Sequence, residues 1–115
     1  MQKMQRPTSW TKEKYMNEFT LVGTIEELMP MMETSNGISV INFVVRTEKG
    51  YISKKENLLK ISAFKELAEE TEKNGLHRKV LIKGRIADDN FDKDGKKLYS
   101  AQLIAEKIFY LMQIS

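Results

Sequence analysis

The order of the secondary-structure signals along the chain is the feature that most restricts its fold. Alternating and β-branched apolar residues predict five strands, and the one good helix signal lies between the third and the fourth of them. The predicted strands span 18 to about 28, 38–47, 58–64, 78–89 and 97 to about 111. The predicted helix, 65–74, is rich in Glu, Ala and Leu, and Gly75 follows it where a capping glycine is expected.

This element order is that of the OB-fold, a small five-stranded Greek-key barrel that binds oligonucleotides or oligosaccharides across its second and third strands. We therefore predict an all-β fold with one helix between strands 3 and 4, where it closes one end of the barrel. Gly23 and Gly84, inside predicted strands, are suited to sharp bends at barrel corners. Asn36-Gly37 and the segment 92–95 predict turns between strands.

The net charge of +3 is confined to the start of the chain. Residues 1–15 hold four bases and one acid, so the remaining residues are neutral in total. A chain of 115 residues has room for one domain, and we predict a flexible basic arm over 1–17 and a folded domain over 18–112. Within the domain the signs occur in blocks, with six bases against two acids in 46–65 and four glutamates in 66–72. Such blocks are consistent with one basic and one acidic face.

Several classes of site are excluded by what the sequence lacks. Without cysteine there are no disulfides, thiolate zinc sites or cysteine nucleophiles, and the single His77 leaves no histidine cluster for a metal. The segment 90–95 resembles the start of a calcium loop, but Ala101 occupies the twelfth position, where glutamate is needed. We find no catalytic site and predict neither enzyme activity nor a cofactor or metal. With no membrane span or signal peptide recognisable, we expect a cytoplasmic protein.

Basic residues interleaved with aromatic residues are the strongest candidates for a binding site. Single strands are held by cations that follow the phosphates and by aromatic rings under the bases, each stack contributing about 1–3 kcal/mol. The candidate stacking residues are Tyr51, Phe64 and Phe91. The candidate phosphate contacts are Lys49, Lys54, Lys55, Lys60, Lys65, Lys83 and Arg85. Phe64 has the parity of Lys60 and Ser62, which places it off the apolar face; the alternative is that Phe64 anchors the helix and the other two aromatics are ordinary loop residues.

The sequence resembles bacterial single-stranded DNA-binding proteins over about 16–111. The resemblance begins at the Met-Asn start and the alternating residues that lead to Gly23 within the first strand, and it is clearest where the helix begins. The matching segments are 16–23, Asn36-Gly37, 41–45, Ala63-Phe64-Lys65-Glu66-Leu67-Ala68-Glu69, 80–86 and 94–99. It implies sequence-independent binding of single-stranded DNA, and protection of exposed strands in replication, recombination or repair, near the nucleoid.

The resemblance also assigns base-stacking positions one by one. The three aromatic positions of the family fall on Tyr51, Phe64 and Phe91, where Tyr and Phe replace the usual tryptophans. A fourth position, often aromatic, falls on Leu58 and implies a smaller stacking surface. Family members form homo-oligomers, so a tetramer or a dimer is implied.

Two departures from the family keep other functions open. The sequence stops at Ser115 without the acidic tail that recruits repair and replication enzymes, so either recruitment is absent or achieved otherwise, or a longer parent was trimmed. Residues 1–15, with Trp10, precede the usual start. A dimeric primosomal replication protein of the same fold also lacks that tail and is the nearest alternative. An OB-fold module that binds a protein partner through its basic arm, and an RNA-binding role, are the others.

Overall fold

Eight strands and one helix are found in residues 16–49 and 55–112, the part of the chain that the computed structural model describes. Their bounds are β1 Phe19–Leu28, β2 Met32–Glu33, β3 Ser39–Lys49, β4 Glu56–Phe64, α1 Lys65–Asn74, β5 Lys79–Asp88, β6 Phe91–Lys93, β7 Lys96–Leu98 and β8 Ala101–Tyr110. The long strands β1, β3, β4, β5 and β8 are the five predicted ones. The helix has the predicted bounds, and it lies between β4 and β5 only because the short β2 adds one strand to the numbering.

The five long strands close into a barrel. The sheet order is β1-β5-β8-β4-β3-β2, and β1 also pairs with β3, which joins the two sides of the sheet. One strand can serve both neighbours because β1 bends at a bulge between Ile25 and Glu27: its first half pairs with β5 and its second half with β3. The pair β4–β8 is parallel, and the other pairs are antiparallel. This topology confirms the predicted OB-fold.

The barrel interior holds the apolar side chains that alternate along each strand. The fully or almost fully buried core consists of Ile25, Ile41, Phe43, Val45, Ile61, Ala63, Ala68, Val80, Ile82 and Ala105. Helix α1 contributes Ala68 and Thr71, both buried, and Leu67 packs at their side, as the narrow apolar stripe predicts. The helix lies against β3 and β4 and closes one barrel end. Within 16–49 and 55–112, no helix is long and apolar enough to cross a membrane.

Gly84 is required because β5 and β8 approach each other closely at a bulge. A Cβ atom there would lie 1.9 Å from the carbonyl oxygen of Ile104 and 2.8 Å from the Phe19 ring. Gly23 has the same role between β1 and β3, since a Cβ atom would lie 2.5 Å from the carbonyl oxygen of Arg46. The prediction that both glycines mark barrel corners is therefore explained by close backbone contact rather than by an unusual φ.

The predicted fifth strand is interrupted. Its first two residues, Lys97 and Leu98, belong to β7 of a separate two-stranded ribbon with Phe91–Lys93, and β8 begins only at Ala101. The ribbon turns at Asp94 and Gly95, which both have positive φ, 52° and 75°, as a type I′ hairpin turn requires. The 92–95 segment is thus the predicted hairpin turn.

Candidate nucleic-acid interface

The outward side of β4 carries a line of side chains that we call the β4 strip: Leu58, Lys60, Ser62 and Phe64. Their neighbours Ile61 and Ala63 point into the core and are fully buried, so alternation along the strand turns the strip outward. Leu58 is 63% exposed, Lys60 is exposed and Phe64 is partly exposed. Across the ladder the strip faces Arg46, Val44, Asn42 and Val40 of β3.

A hydrogen-bonded polar row crosses the middle of the β4 strip. Ser62 Oγ donates to Asn42 Oδ1 at 2.5 Å and accepts from Gln102 Nε2 at 3.0 Å, which links β4 to β3 on one side and to β8 on the other. Ser62 is fully buried although it points out of the barrel, because the two amide side chains cover it. These hydrogen bonds hold polar side chains in place between Lys60 and Phe64.

Arg85 lies on the same outer surface as the β4 strip. Ser62 pairs with Ile104 of β8, and Ile104 pairs with Arg85 of β5, so Arg85 is two strand spacings, about 10 Å, from Ser62. Lys83 is the next outward residue of β5, but it pairs with Thr20 of β1 and with Lys107. The structure therefore brings Arg85 near the strip, whereas Lys83 lies one outward position farther along β5, beside Lys107.

A small groove lies beside Lys83. It has a volume of about 270 Å³ and is lined by Glu18, Lys83, Gly84, Glu106 and Lys107. Because two carboxylates share the groove with the two ammonium groups, the local charge is balanced. Lys83 is consequently a weaker candidate for a phosphate contact than Lys60 or Arg85.

The β6–β7 hairpin extends from one end of the β4 strip. It connects β5 to β8, and because β4 runs parallel to β8, the hairpin and the start of β4 lie at the same barrel end. Phe91 is 51% exposed on this hairpin, opposite Leu98. Leu58 and Phe91 therefore mark one end of the surface, and Phe64 marks the other.

Lys65 occupies a strained junction at the far end of the β4 strip. Its φ is +57°, in the left-handed region that residues with a side chain seldom adopt, and Phe64 before it is extended with no side-chain cap. The chain changes there from strand to helix in one residue. The turn leaves the Lys65 side chain exposed next to Phe64.

Arg46 is a basic residue of this face whose charge is already neutralised. Its Nε forms a hydrogen-bonded ion pair with Glu26 and lies 3.6 Å from a carboxylate oxygen of Glu56. The hydrogen bond and the charge of Glu26 raise the pKa of Arg46, and the charge of Glu56 adds to this. Arg46 and Glu56 line a groove of about 570 Å³ at the edge of β1 and β3, together with Thr24. An arginine held in this way connects strands and is a poor phosphate contact.

Some of the predicted site residues lie outside the described residues. These are Tyr51, Lys54 and the side chain of Lys49, which is the last residue of β3; Trp10 and the arm before Met16 are outside as well. Lys55 is described and exposed at the start of β4. The end of β3 and the start of β4 lie at the hairpin end of the barrel.

Two features of the interface were not found by sequence reasoning. The burial of Ser62 depends on cross-strand partners 20 and 40 residues away, which no local pattern shows. Tyr99 is 78% exposed beside Lys97, although the continuous strand predicted there gave it no special position. The available signal was the alternation of Lys97 with Tyr99 immediately after a hairpin turn.

A closed five-stranded barrel with an exposed strip of aromatic, aliphatic and basic side chains is the architecture of an oligonucleotide-binding domain. The sequence matches the model of the single-strand binding protein family over residues 16–111. The chain belongs to this family, which confirms the resemblance seen in the sequence and assigns single-stranded DNA as the ligand.

Solved structures give the same fold. A small single-stranded DNA-binding protein from Streptomyces coelicolor superposes with a TM-score of 0.62 at 18% identity, covering 83% of this chain and 94% of that chain. The wild-type single-stranded DNA-binding protein from Thermus aquaticus gives 0.66 at 17% identity, with 87% of this chain and 42% of that chain covered. At such identities the likeness concerns the fold alone. Comparison with curated proteins gave no match.

Proposed function

We propose that the β4 strip and the β6–β7 hairpin form the path of the single strand, which is bound without regard to base sequence. The observation that carries this proposal is that Leu58, Lys60 and Phe91 are exposed and Phe64 is partly exposed on the β4 strip and on the hairpin at its end. Phe64 and Phe91 stack on bases, and the ammonium group of Lys60 contacts a phosphate. Every base has a flat face, so stacking of this kind does not discriminate between sequences.

Further contacts follow from position. Lys65 and Arg85 flank the strip and contact phosphates on either side of it, and Lys55 does so near its start. Tyr51 as a stacking residue, and Lys49, Lys54 and Lys83 as phosphate contacts, remain part of the proposal on the strength of their sequence positions. No catalytic step is included, and the protein acts by covering exposed strands in replication, recombination or repair at the nucleoid.

Truncation of the two described aromatics tests this path. Phe64→Ala and Phe91→Ala should each weaken binding of a labelled oligo-dT by about 5-fold or more, because each removes one stacking surface. Fluorescence anisotropy at fixed salt measures the affinity. Leu76→Ala is the matched control, since Leu76 is an exposed apolar residue beyond the far end of α1 and its truncation should leave the affinity unchanged. Equal affinities for all four proteins would refute the path.

We further propose that the protein is a homo-oligomer that assembles through the outer face of β1, β5 and β8. Val22 pairs with Leu81, and Leu81 pairs with Phe109, so the three side chains form an apolar row across the three strands. Val22 and Phe109 are nearly half exposed in the single chain. Covering such a row is the usual reason for one to be present on a surface.

The molar mass in solution tests the assembly. Light scattering should give a tetramer or a dimer, and Phe109→Glu should shift the mass toward the monomer because it places a charge in the apolar row. A tetramer fits a strand-covering protein, whereas a dimer favours the primosomal type of replication protein with the same fold. A monomeric parent protein would contradict the assembly.

A further inference from the structure

The β6–β7 hairpin is held firmly at its base. Asp89 N donates to the carbonyl oxygen of Ser100 at 2.9 Å, and Ser100 N donates to Asn90 Oδ1 at 3.0 Å. These bonds tie the end of β5 to the start of β8, immediately before Phe91 and after Tyr99. These hydrogen bonds therefore fix the backbone next to both aromatic residues relative to the barrel.

The two aromatic residues lie on opposite faces of the hairpin. Phe91 pairs with Leu98 and Asp92 pairs with Lys97, and side chains alternate between the faces of a two-stranded ribbon. Phe91 and Leu98 consequently share one face. Lys97 belongs to the other face, and Tyr99, one residue past the end of β7, is on the side of Lys97 because its ring centroid lies 5.7 Å from Lys97 Nζ.

Packing does not account for a large aromatic side chain at Tyr99. The residue is 78% exposed, more than Phe91, so it buries little apolar area against the barrel. The ring offers a flat surface to solvent, and the neighbouring ammonium group supplies a positive charge. A base stacked on a ring with its phosphate on a nearby cation requires this pair of groups.

We propose that Tyr99 is an additional base-stacking residue and that Lys97 contacts the adjoining phosphate. The single strand is then bound by both faces of the hairpin, by Phe91 on one and by the Lys97–Tyr99 pair on the other. This inference rests on the proposed function, because it extends the same path of single-stranded DNA beyond the β4 strip.

Three variants test the Lys97–Tyr99 pair against a labelled oligo-dT at several salt concentrations. Tyr99→Ala should lose about 5-fold or more in affinity at every salt concentration, since stacking does not release counterions. Tyr99→Phe keeps the ring and should bind like the parent protein. Lys97→Ala should reduce the slope of log affinity against log salt by about 0.7, the value for one phosphate contact on a single strand.

The outcomes separate this inference from the proposed function. If the parent protein binds oligo-dT but Tyr99→Ala binds equally well, the inference is wrong and the proposed function stands. If Tyr99→Phe loses as much affinity as Tyr99→Ala, the contact is not a stack and the inference is again wrong. If the parent protein does not bind oligo-dT, both are wrong. Lys73→Ala, which removes an exposed lysine of α1, is the charge control and should leave the slope unchanged.

Discussion

At the scale of single residues, Leu58 is the position where this chain lacks an aromatic ring that the single-strand binding family often has. It is highly exposed on the β4 strip, and its partner across the ladder is Arg46, which is occupied by Glu26 and Glu56. A leucine presents methyl groups where an aromatic ring would present a flat stacking surface. We therefore expect this end of the strip to be the weakest part of the path.

Restoring a ring at this position should strengthen binding. Leu58→Phe is expected to raise the affinity for oligo-dT by about 5-fold, the lower range for one stack, with no loss of stability because the site is exposed. Anisotropy titration and urea denaturation measure the two effects. Leu76→Phe adds a ring elsewhere and should leave the affinity unchanged. Unchanged or weaker binding of Leu58→Phe would place the strand away from this part of β4.

The sequence could not predict the surroundings of residues whose hydrogen-bond partners are far away along the chain. Alternation correctly separated Ile61 and Ala63 from Lys60 and Phe64, because that pattern is local to one strand. It could not show that Ser62 is buried, since Asn42 and Gln102 come from two other strands. The ion pair between Arg46 and Glu26 could not be predicted from the sequence either, because the two residues belong to different strands.

At the scale of elements, the junction of β4 and α1 links stability to binding. Lys65 has a left-handed backbone, which costs a residue with a side chain about 1–2 kcal/mol and costs glycine almost nothing. The strand ends with its aromatic side chain outward and the helix begins at once, so the junction keeps Phe64 and Lys65 together. Strain of this size is tolerated because the core residues on both sides fix the two elements.

Two substitutions at this junction separate the strain from the charge. Lys65→Gly and Lys65→Ala both remove the ammonium group, so both should lower the salt slope of oligo-dT binding by about 0.7. Only the glycine removes the backbone strain, and we expect it to be more stable than the alanine variant by about 1 kcal/mol after its greater unfolded-state entropy is allowed for. Urea denaturation compares the stabilities. An alanine variant that is as stable as the glycine variant, or more stable, would contradict a backbone strain of about 1–2 kcal/mol.

Element boundaries were predictable where the local signals agree. The helix was placed correctly because a run of helix-forming residues ends at Gly75, where an added Cβ atom would lie 2.6 Å from the carbonyl oxygen of Thr71. The fifth strand was predicted too long because no glycine or proline at Tyr99 and Ser100 signals a break. The break there is made by Asn90, a residue from the other side of the hairpin.

At the scale of the whole molecule, the order of elements was sufficient to predict the barrel. A helix between the third and fourth predicted strands leaves few ways to close five strands, and the bulge in β1 makes the closure possible. The chain's excess charge lies in residues 1–15, so the net charge of the remaining residues is zero. The proposed DNA-binding surface therefore depends on where the fold places basic and aromatic side chains and not on the overall composition.

One measurement tests the central claim most directly: anisotropy of a labelled oligo-dT and of a duplex of equal length, each titrated at several salt concentrations. Bases are available for stacking in the single strand and hidden in the duplex, so we predict clearly tighter binding of oligo-dT, with an affinity that falls as salt rises. Equal or tighter binding of the duplex would contradict the account.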